Sequence, residues 1–301
     1  MTIPHNKSCG FFALIGAPNV GKSTLINRIV GTKVSIVSSK VQTTRTQVLG
    51  ITILDQSQII FIDTPGVFAP KRRLDRAMVA SAWGGVTNAD GIILLVDAKI
   101  GIDYETSLII DGIRKLNRKV FLVINKIDLV KKTTLLRLIS TLSSIDIFSE
   151  IFMISAKIGD GVDDLLVSLK VQVPNGPWLY PEDQISDMPS RLLAAEITRE
   201  KVYQLLHNEL PYAATVETEK WEQGEDGSAK VNQIIFVQKP GQKAIVLGKG
   251  GAKIKKIGEL ARKELEKLLG HRVHLFLFVK VRQKWGDDPA RYSEWGLDFN
   301  A

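Results

Sequence analysis

GAPNVGKS, residues 16–23, follows the apolar run FFALI (11–15) and precedes TLINRIV (24–30), so the chain reads here as a strand, a glycine-rich turn and a helix. That order makes a phosphate cradle. Gly16 and Gly21 let the backbone curl with its N–H groups inward, and the helix N-terminus adds positive potential at the same point. Ala17, Pro18, Asn19, Val20 and Thr24 complete the stretch that wraps the phosphates. Lys22 is placed to reach the β- and γ-phosphates, and the Ser23 hydroxyl to meet Mg²⁺.

Working outward, 301 residues are enough for two domains with a core in each. At 45% hydrophobic and 24% charged the composition is that of a soluble globular protein, and no apolar run is long enough to span a bilayer. The N-terminus MTIPHNKSCG is too short and polar for a signal peptide, which leads to the expectation of a cytoplasmic protein. Cys9 is the single cysteine, excluding an intramolecular disulfide and a thiolate metal site. The net charge of +8 is concentrated: residues 243–284 carry twelve Lys and Arg against three Glu. A polyanionic partner is expected for that region.

Beyond the first helix, residues 32–47 are polar and aperiodic and read as a loop. Strands at 48–54 and 58–63 are joined by the turn DQS (55–57), which makes them an antiparallel pair at one edge of a sheet. Buried-strand runs at 91–97, 119–125 and 151–154 alternate with helical patterns at 74–89, 104–116 and 162–171. The expectation is an α/β P-loop domain over 1–174, with a mixed, mostly parallel sheet, helices on both faces and ligand loops at the strand C-termini. Four prolines between 174 and 189 mark residues 175–189 as a stiff interdomain linker. A different plan follows over 190–285: helix 190–208, strands 212–222 and 230–238, helix 241–247, the tight GKGG at 248–251, helix 252–269 and strand 271–282. Residues 286–301 form a tail whose Tyr292, Trp295 and Phe299 are expected to pack on that second sheet.

Three further motifs follow strands. In DTPG (63–66) the Asp63 carboxylate can orient Mg²⁺ through a water, and the Gly66 N–H can approach the γ-phosphate. In NKID (125–128) the Asp128 carboxylate can accept two hydrogen bonds from the N1–H and exocyclic amine of guanine, a donor pair that adenine lacks. The stem of Lys126 can lie along the base, and Asn125 can brace the neighbouring loop. In SAK (Ser155, Ala156, Lys157) the Ala156 N–H can donate to the guanine oxygen. Cradle, loop, DxxG, NKxD and SAK in this order describe a site for GTP and GDP with Mg²⁺, and Lys22, Asp63 and Gly66 are its candidates for catalysis.

These motifs, with QTTR (42–45), ELPY (209–212) and GKGGAKIK (248–255), resemble the Era family of GTPases over nearly the whole chain. The resemblance implies a GTP hydrolase whose second, α+β domain is a type II KH module. It further implies binding to the 3′ end of 16S ribosomal RNA and a part in assembly of the 30S subunit, by a monomer of the cytoplasm with peripheral membrane association left open. By the same resemblance Thr44 ligates Mg²⁺ in the GTP state and, with Asn19, joins the candidates for catalysis, although the residues alone leave Thr43 as an alternative to Thr44. Related GTPases with Asn at the position of Asn19 hold K⁺ there, and a plain turn role is the other reading. Val67 stands where Ras-like enzymes keep a water-orienting glutamine, so slow intrinsic turnover is expected. For RNA the candidates are Gly248, Lys249, Gly250, Gly251, Lys253, Ile254 and Lys255, in a loop of the kind that clamps nucleic-acid backbone, with Ile245 and Val246 as further candidates for the apolar platform. The competing class is a signalling GTPase whose basic domain binds protein or membrane.

Overall fold

The computed structural model describes residues 7–38, 40, 42–207 and 209–301. His5 and the helix end expected at 208 lie outside the described residues. The chain divides into two compact units, the first made of residues 1–35, 44–187 and 292–301 and the second of 36–43 and 188–291.

The first unit is built on a six-stranded sheet of order β2-β3-β1-β4-β5-β6. The strands are β1 (Ser8–Ile15), β2 (Val48–Leu54), β3 (Ser57–Asp63), β4 (Gly91–Asp97), β5 (Val120–Asn125) and β6 (Phe148–Ile154). Only β2 is antiparallel to its neighbour, as a tight connection requires; Ser57, read from the sequence as part of the turn, already pairs with Leu54, which leaves the two-residue turn Asp55-Gln56. Every residue of β3, β4 and β5 is buried, so both faces of the sheet are covered; the strands are apolar in their middles and carry polar residues, Asp63, Asp97 and Asn125, at their C-terminal ends. The helices are α1 (Lys22–Val30), α2 (Arg73–Asn88), α3 (Tyr104–Arg114), α4 (Lys132–Ser143) and α5 (Val162–Gln172). From β1 the chain goes to the edge at β2, returns through β3 beside β1, and then builds outward on the other side through β4 to β6, so the loop after β1 opens at the point where the order reverses. Phosphate ligands of such sheets bind there.

The proline-rich stretch expected to be a stiff interdomain linker over 175–189 clusters with this unit up to residue 187. Gln58 captures it, accepting from the Leu179 and Tyr180 N–H groups at 2.9 and 3.0 Å and donating to the Tyr180 carbonyl at 2.8 Å. Ile51 N–H donates to Ile185 O at 2.9 Å, so the stretch satisfies the outer hydrogen-bonding edge of β2.

The second unit runs α6 (Ser190–Leu205), β7 (Ala214–Gln223), β8 (Ala229–Val237), α7 (Pro240–Leu247), α8 (Ala252–Leu269) and β9 (Val273–Val281), the order read from the sequence. β7 and β8 are antiparallel, whereas β8 and β9 are parallel and need the α7–α8 crossover between them. Ile257, Ala261 and Leu265 recur every four residues along α8 and are its buried stripe. Leu265 packs with Ile197, Val231 and Val273, and Leu265→Ala is expected to cost about 2–5 kcal/mol. Segment 36–43 belongs here because α6 holds it at several points. Glu200 Oε1 accepts from Val37 N–H at 2.8 Å, the Arg199 guanidinium donates to the Thr43 carbonyl, and the Lys40 ammonium caps the Tyr203 and Leu206 carbonyls.

The tail splits. Trp285 is buried in the second unit, its Nε1–H donating to Ala213 O at 2.9 Å, and Arg291 stacks on Phe236 with 4.6 Å to the ring centroid. A last helix, α9 (Pro289–Glu294), carries Tyr292 and is followed by Trp295 and Phe299; the three pack in the first unit, where Arg73 lies 4.3 Å over the Phe299 ring and Arg45 6.0 Å over Trp295. The expectation that Tyr292, Trp295 and Phe299 pack on the second sheet is thus not met, whereas Trp285 and Arg291 lie in the second unit.

Candidate nucleotide site and nucleic-acid interface

The cradle is compressed between two other motifs. A Cβ on Gly21 would stand 2.2 Å from Asn125 Nδ2, and one on Gly66 would stand 2.9 Å from Pro18 Cα, so both positions admit glycine alone. Gly21 also adopts φ +104° as it starts α1. Val67 N–H donates to Gly16 O at 3.2 Å, which joins DTPG to the cradle by backbone. Within the cradle the Lys22 ammonium is turned inward, donating to Gly16 O at 2.9 Å and Ala17 O at 3.1 Å. Burial draws its pKa down to about 8, with the Asp63 carboxylate opposing.

Asp63 gathers the hydroxyls. Oδ2 accepts from Ser23 Oγ at 2.7 Å and from Ser35 Oγ at 2.7 Å, and Ser23 Oγ lies 3.0 Å from Thr44 Oγ1. Oδ1 is buried with no partner. Burial raises the Asp63 pKa, while the hydrogen bonds from Ser23 and Ser35 and the charge of Lys22 pull it back. A hard cation fits this set: two hydroxyl oxygens 3.0 Å apart and an orphaned carboxylate oxygen are oxygen donors that water or Mg²⁺ would satisfy. Of the two threonines, Thr44 joins the set, and Thr43 Oγ1 donates to Lys40 O at 2.6 Å instead. Ser35 was not found by sequence reasoning, because it lies outside every motif and 28 residues from its partner.

The base loops are braced by one side chain. Asn125 Nδ2 donates to Val20 O at 2.8 Å, and its Oδ1 accepts from the Lys126 N–H at 2.8 Å and the Ala156 N–H at 2.9 Å. Cradle, NKID and SAK are thus fixed to each other. Ser155 Oγ donates to Asp128 Oδ1 at 2.6 Å, aiming an exposed carboxylate. Arg28 of α1 donates to the Ala156 and Lys157 carbonyls from beneath. Lys126 Nζ reaches Asn19 O at 2.6 Å. Asn19 itself sits at φ +62°, a turn conformation that Asn tolerates.

In the second unit Gly248, Gly250 and Gly251 all have positive φ, and GKGG forms a short 3₁₀ turn between α7 and α8. Among the described residues no carboxylate pairs with Lys249, Lys253 or Lys255, whereas Lys256 is bound to Glu259 at 3.1 Å. A groove of about 420 Å³ lies alongside, between Ile254, Gly258 and Arg262 of α8 and Leu275 and Leu277 of β9. The apolar platform expected from Ile245, Val246 and Ile254 is therefore different: Ile254 lines the groove, Val246 is core, and the two leucines were missed. Alternation along β9 could have singled them out, since its odd residues face the helices.

No helix among the described residues is long and apolar enough to cross a membrane. The chain matches the family model described as a 50S ribosome-binding GTPase over residues 11–126 and that of the KH domain over 209–286. It is 58% identical over 296 residues to GTPase Era of Bradyrhizobium diazoefficiens, covering 98% of this chain and 96% of that one. Identity to GTPase Era of Sinorhizobium medicae is 57% over 290 residues, or 96% of this chain and 94% of that one. Among solved structures, Era in complex with MgGDPNP and nucleotides 1506–1542 of 16S ribosomal RNA superposes with a TM-score of 0.92 at 39% identity, covering 97% of this chain and 99% of that one. A point-substituted Aquifex aeolicus Era bound to GDP·AlF4⁻ gives a TM-score of 0.91 at 40% identity, with 96% and 99% covered. A P-loop nucleotide site and a KH module, matched end to end by these relatives, mean that the chain belongs to the Era family of GTPases.

Proposed function

We propose that this GTPase binds the 3′ end of 16S ribosomal RNA through the GKGG loop and the α8–β9 groove, and that it does so in the cytoplasm during assembly of the 30S subunit. The observation that carries the reading is the row Lys249, Lys253 and Lys255, which has no carboxylate partner among the described residues, beside an open groove of apolar floor. Phosphate needs the former and unstacked bases the latter. A relative 39% identical over nearly the same length was crystallised with nucleotides 1506–1542 of that RNA.

At the nucleotide site, Lys22 exchanges its two carbonyl partners for the β- and γ-phosphates, and the inward N–H groups hold their oxygens. Ser23 and Thr44 would supply hydroxyl ligands for Mg²⁺, and the Asp63 carboxylate would accept from water bound to the ion. When bound, the ion neutralises charge between the β- and γ-phosphates. The Gly66 N–H lies over the γ-phosphate. Val67 offers no amide to aim the attacking water, so the intrinsic rate is slow and depends on positioning alone. Asp128, aimed by Ser155, selects guanine.

The test is binding of an RNA carrying the 3′-terminal segment against a scrambled sequence of equal length and against anionic vesicles, with the full chain and a non-hydrolysable GTP analogue. Preference for the 3′-terminal RNA is expected. Equal binding to both RNAs, or stronger binding to vesicles, would sink the assignment.

A further inference from the structure

Asp97, the last residue of β4, belongs to no motif read from the sequence, yet its carboxylate is only 5% exposed and faces the base loop. It stands opposite Asn125 in the β4–β5 register. Oδ2 accepts from Lys126 Nζ at 2.6 Å, and Oδ1 accepts from the Lys99 N–H at 2.8 Å. The same ammonium donates to Asn19 O at 2.6 Å. Lys126 leaves the strand at φ +66°, a backbone state that directs its side chain back across the loop. Its ammonium is therefore gripped by two oxygens, one on the sheet and one on the phosphate cradle, and its four-carbon stem is fixed at the far end.

We propose that Asp97 is a positioning residue for guanine-nucleotide binding: it fixes Lys126 so that the stem forms a ready-made apolar wall for one face of the base. This rests on NKID being the guanine loop. An unanchored lysine must give up its rotamer freedom each time a nucleotide binds, and an anchored one has already done so. Asp97 is the only charged member of the grip, and a hydrogen bond to a charged partner is the stronger kind. The wall is needed equally by GTP and GDP, so Asp97 contributes to uniform binding and leaves the chemical step alone.

A local role is the competitor, since the Asp97 carboxylate also caps the 97–101 turn through Lys99 N–H. A double-mutant cycle separates the two. Asp97→Ala is expected to raise the KM for GTP and the Kd for GDP together, by about tenfold, while kcat at saturation moves less than about threefold. In a Lys126→Met background, where the stem remains and the ammonium is gone, Asp97→Ala should add nothing. Asp97→Asn, which keeps an acceptor for the turn and loses the charge, should give an intermediate loss with Lys126 and none with Met at that position. If Asp97→Ala fails to fold, the Asn series carries the test. An equal loss in both backgrounds overturns the proposal and leaves Asp97 a turn cap, as does a fall in kcat with KM unchanged. Wild-type protein that binds ATP as tightly as GTP overturns the guanine-loop reading and this inference together.

Discussion

Ser35 Oγ and Asp63 Oδ2 stand 2.7 Å apart, and Ser23 donates to the same oxygen, so both hydrogen bonds hold one side of the carboxylate and Oδ1 accepts none among the described residues. Ser35 is thereby a device for aiming a metal-shell carboxylate. Ser35→Ala removes one hydrogen bond, worth about 1 kcal/mol, and should raise the Mg²⁺ concentration for half-maximal hydrolysis by roughly fivefold. GDP affinity measured without Mg²⁺ should be unmoved. A Mg²⁺ titration of the hydrolysis rate decides it, and an unchanged midpoint would leave Ser35 with a folding role only.

Asp128 is exposed and carries a single protein donor, from Ser155, which leaves acceptor capacity for the base. Asp128→Asn replaces an acceptor by a donor, and preference should pass from guanine to xanthine nucleotides, whose 2-oxo group accepts it. Competition between GTP and XTP for the wild-type and variant proteins measures this directly. A variant that still prefers GTP would mean that the base is read elsewhere.

Lys22 makes nucleotide binding pH-dependent. Burial draws its pKa down to about 8 from an ordinary 10.5, and bound phosphate charge restores the ammonium. Above pH 8 the free protein therefore holds fewer protons than the complex, so binding takes up protons and affinity falls as pH rises. The unfolded chain also holds that proton more tightly, so the empty fold gains stability from this group as pH rises from about 8 to 10.5. Calorimetry at pH 8.5 in two buffers of different ionisation enthalpy should show uptake of up to about one proton, and little from this group at pH 7. Absence of uptake at pH 8.5 would mean that Lys22 is already charged in the empty site.

Gly250 has φ +59°, and nothing lies within 4 Å of where a Cβ would stand. Asp tolerates that backbone, so Gly250→Asp should fold and place a carboxylate in the path of RNA phosphate. A loss of at least about tenfold in RNA affinity is expected. Lys249→Ala should lower the slope of log affinity against log salt by about 0.7, one phosphate contact on a single strand. Full RNA binding by Gly250→Asp would place the clamp elsewhere.

Thr43 and Thr44 are consecutive, yet Thr43 is held by Arg199 of α6 and Thr44 by Ser23 of the cradle. A change at the γ-phosphate that frees Thr44 must pull on segment 36–43 through one peptide bond. RNA affinity is therefore expected to differ between a GTP analogue and GDP, and linkage requires RNA to change nucleotide affinity by the same factor, typically about 5–150-fold. Arg199→Met, which releases the Thr43 carbonyl, should shrink that factor. Identical RNA affinities with GTP analogue, GDP and no nucleotide would mean two independent sites.

The parts legible in the sequence are those whose chemistry is confined to contiguous residues at the end of a strand. GAPNVGKS, DTPG and NKID announce their loops because glycine, proline and Asn punctuate apolar runs, and the α8 stripe announces itself by period. Ser35 and Asp97 were illegible because each acts on a partner 28 or 29 residues away and neither has a local pattern. α4 left little trace for a related reason: Leu142 is its one fully buried residue, so its sequence was never forced into a strong apolar stripe. The split tail and the captured proline stretch depend on long-range docking, which composition cannot express.

The membership of segment 36–43 has a consequence for anyone cutting the gene. A recombinant piece starting at Met188 would lack the residues that cover Arg199 and Glu200, leaving two side chains built for burial without the main-chain groups they bind. It would also end in Tyr292, Trp295 and Phe299 with no surface to receive them. Such a fragment invites aggregation and a misleadingly weak RNA signal. A faithful miniature of the second unit has to stop near residue 291 and carry a copy of residues 36–43, tethered or added as a peptide.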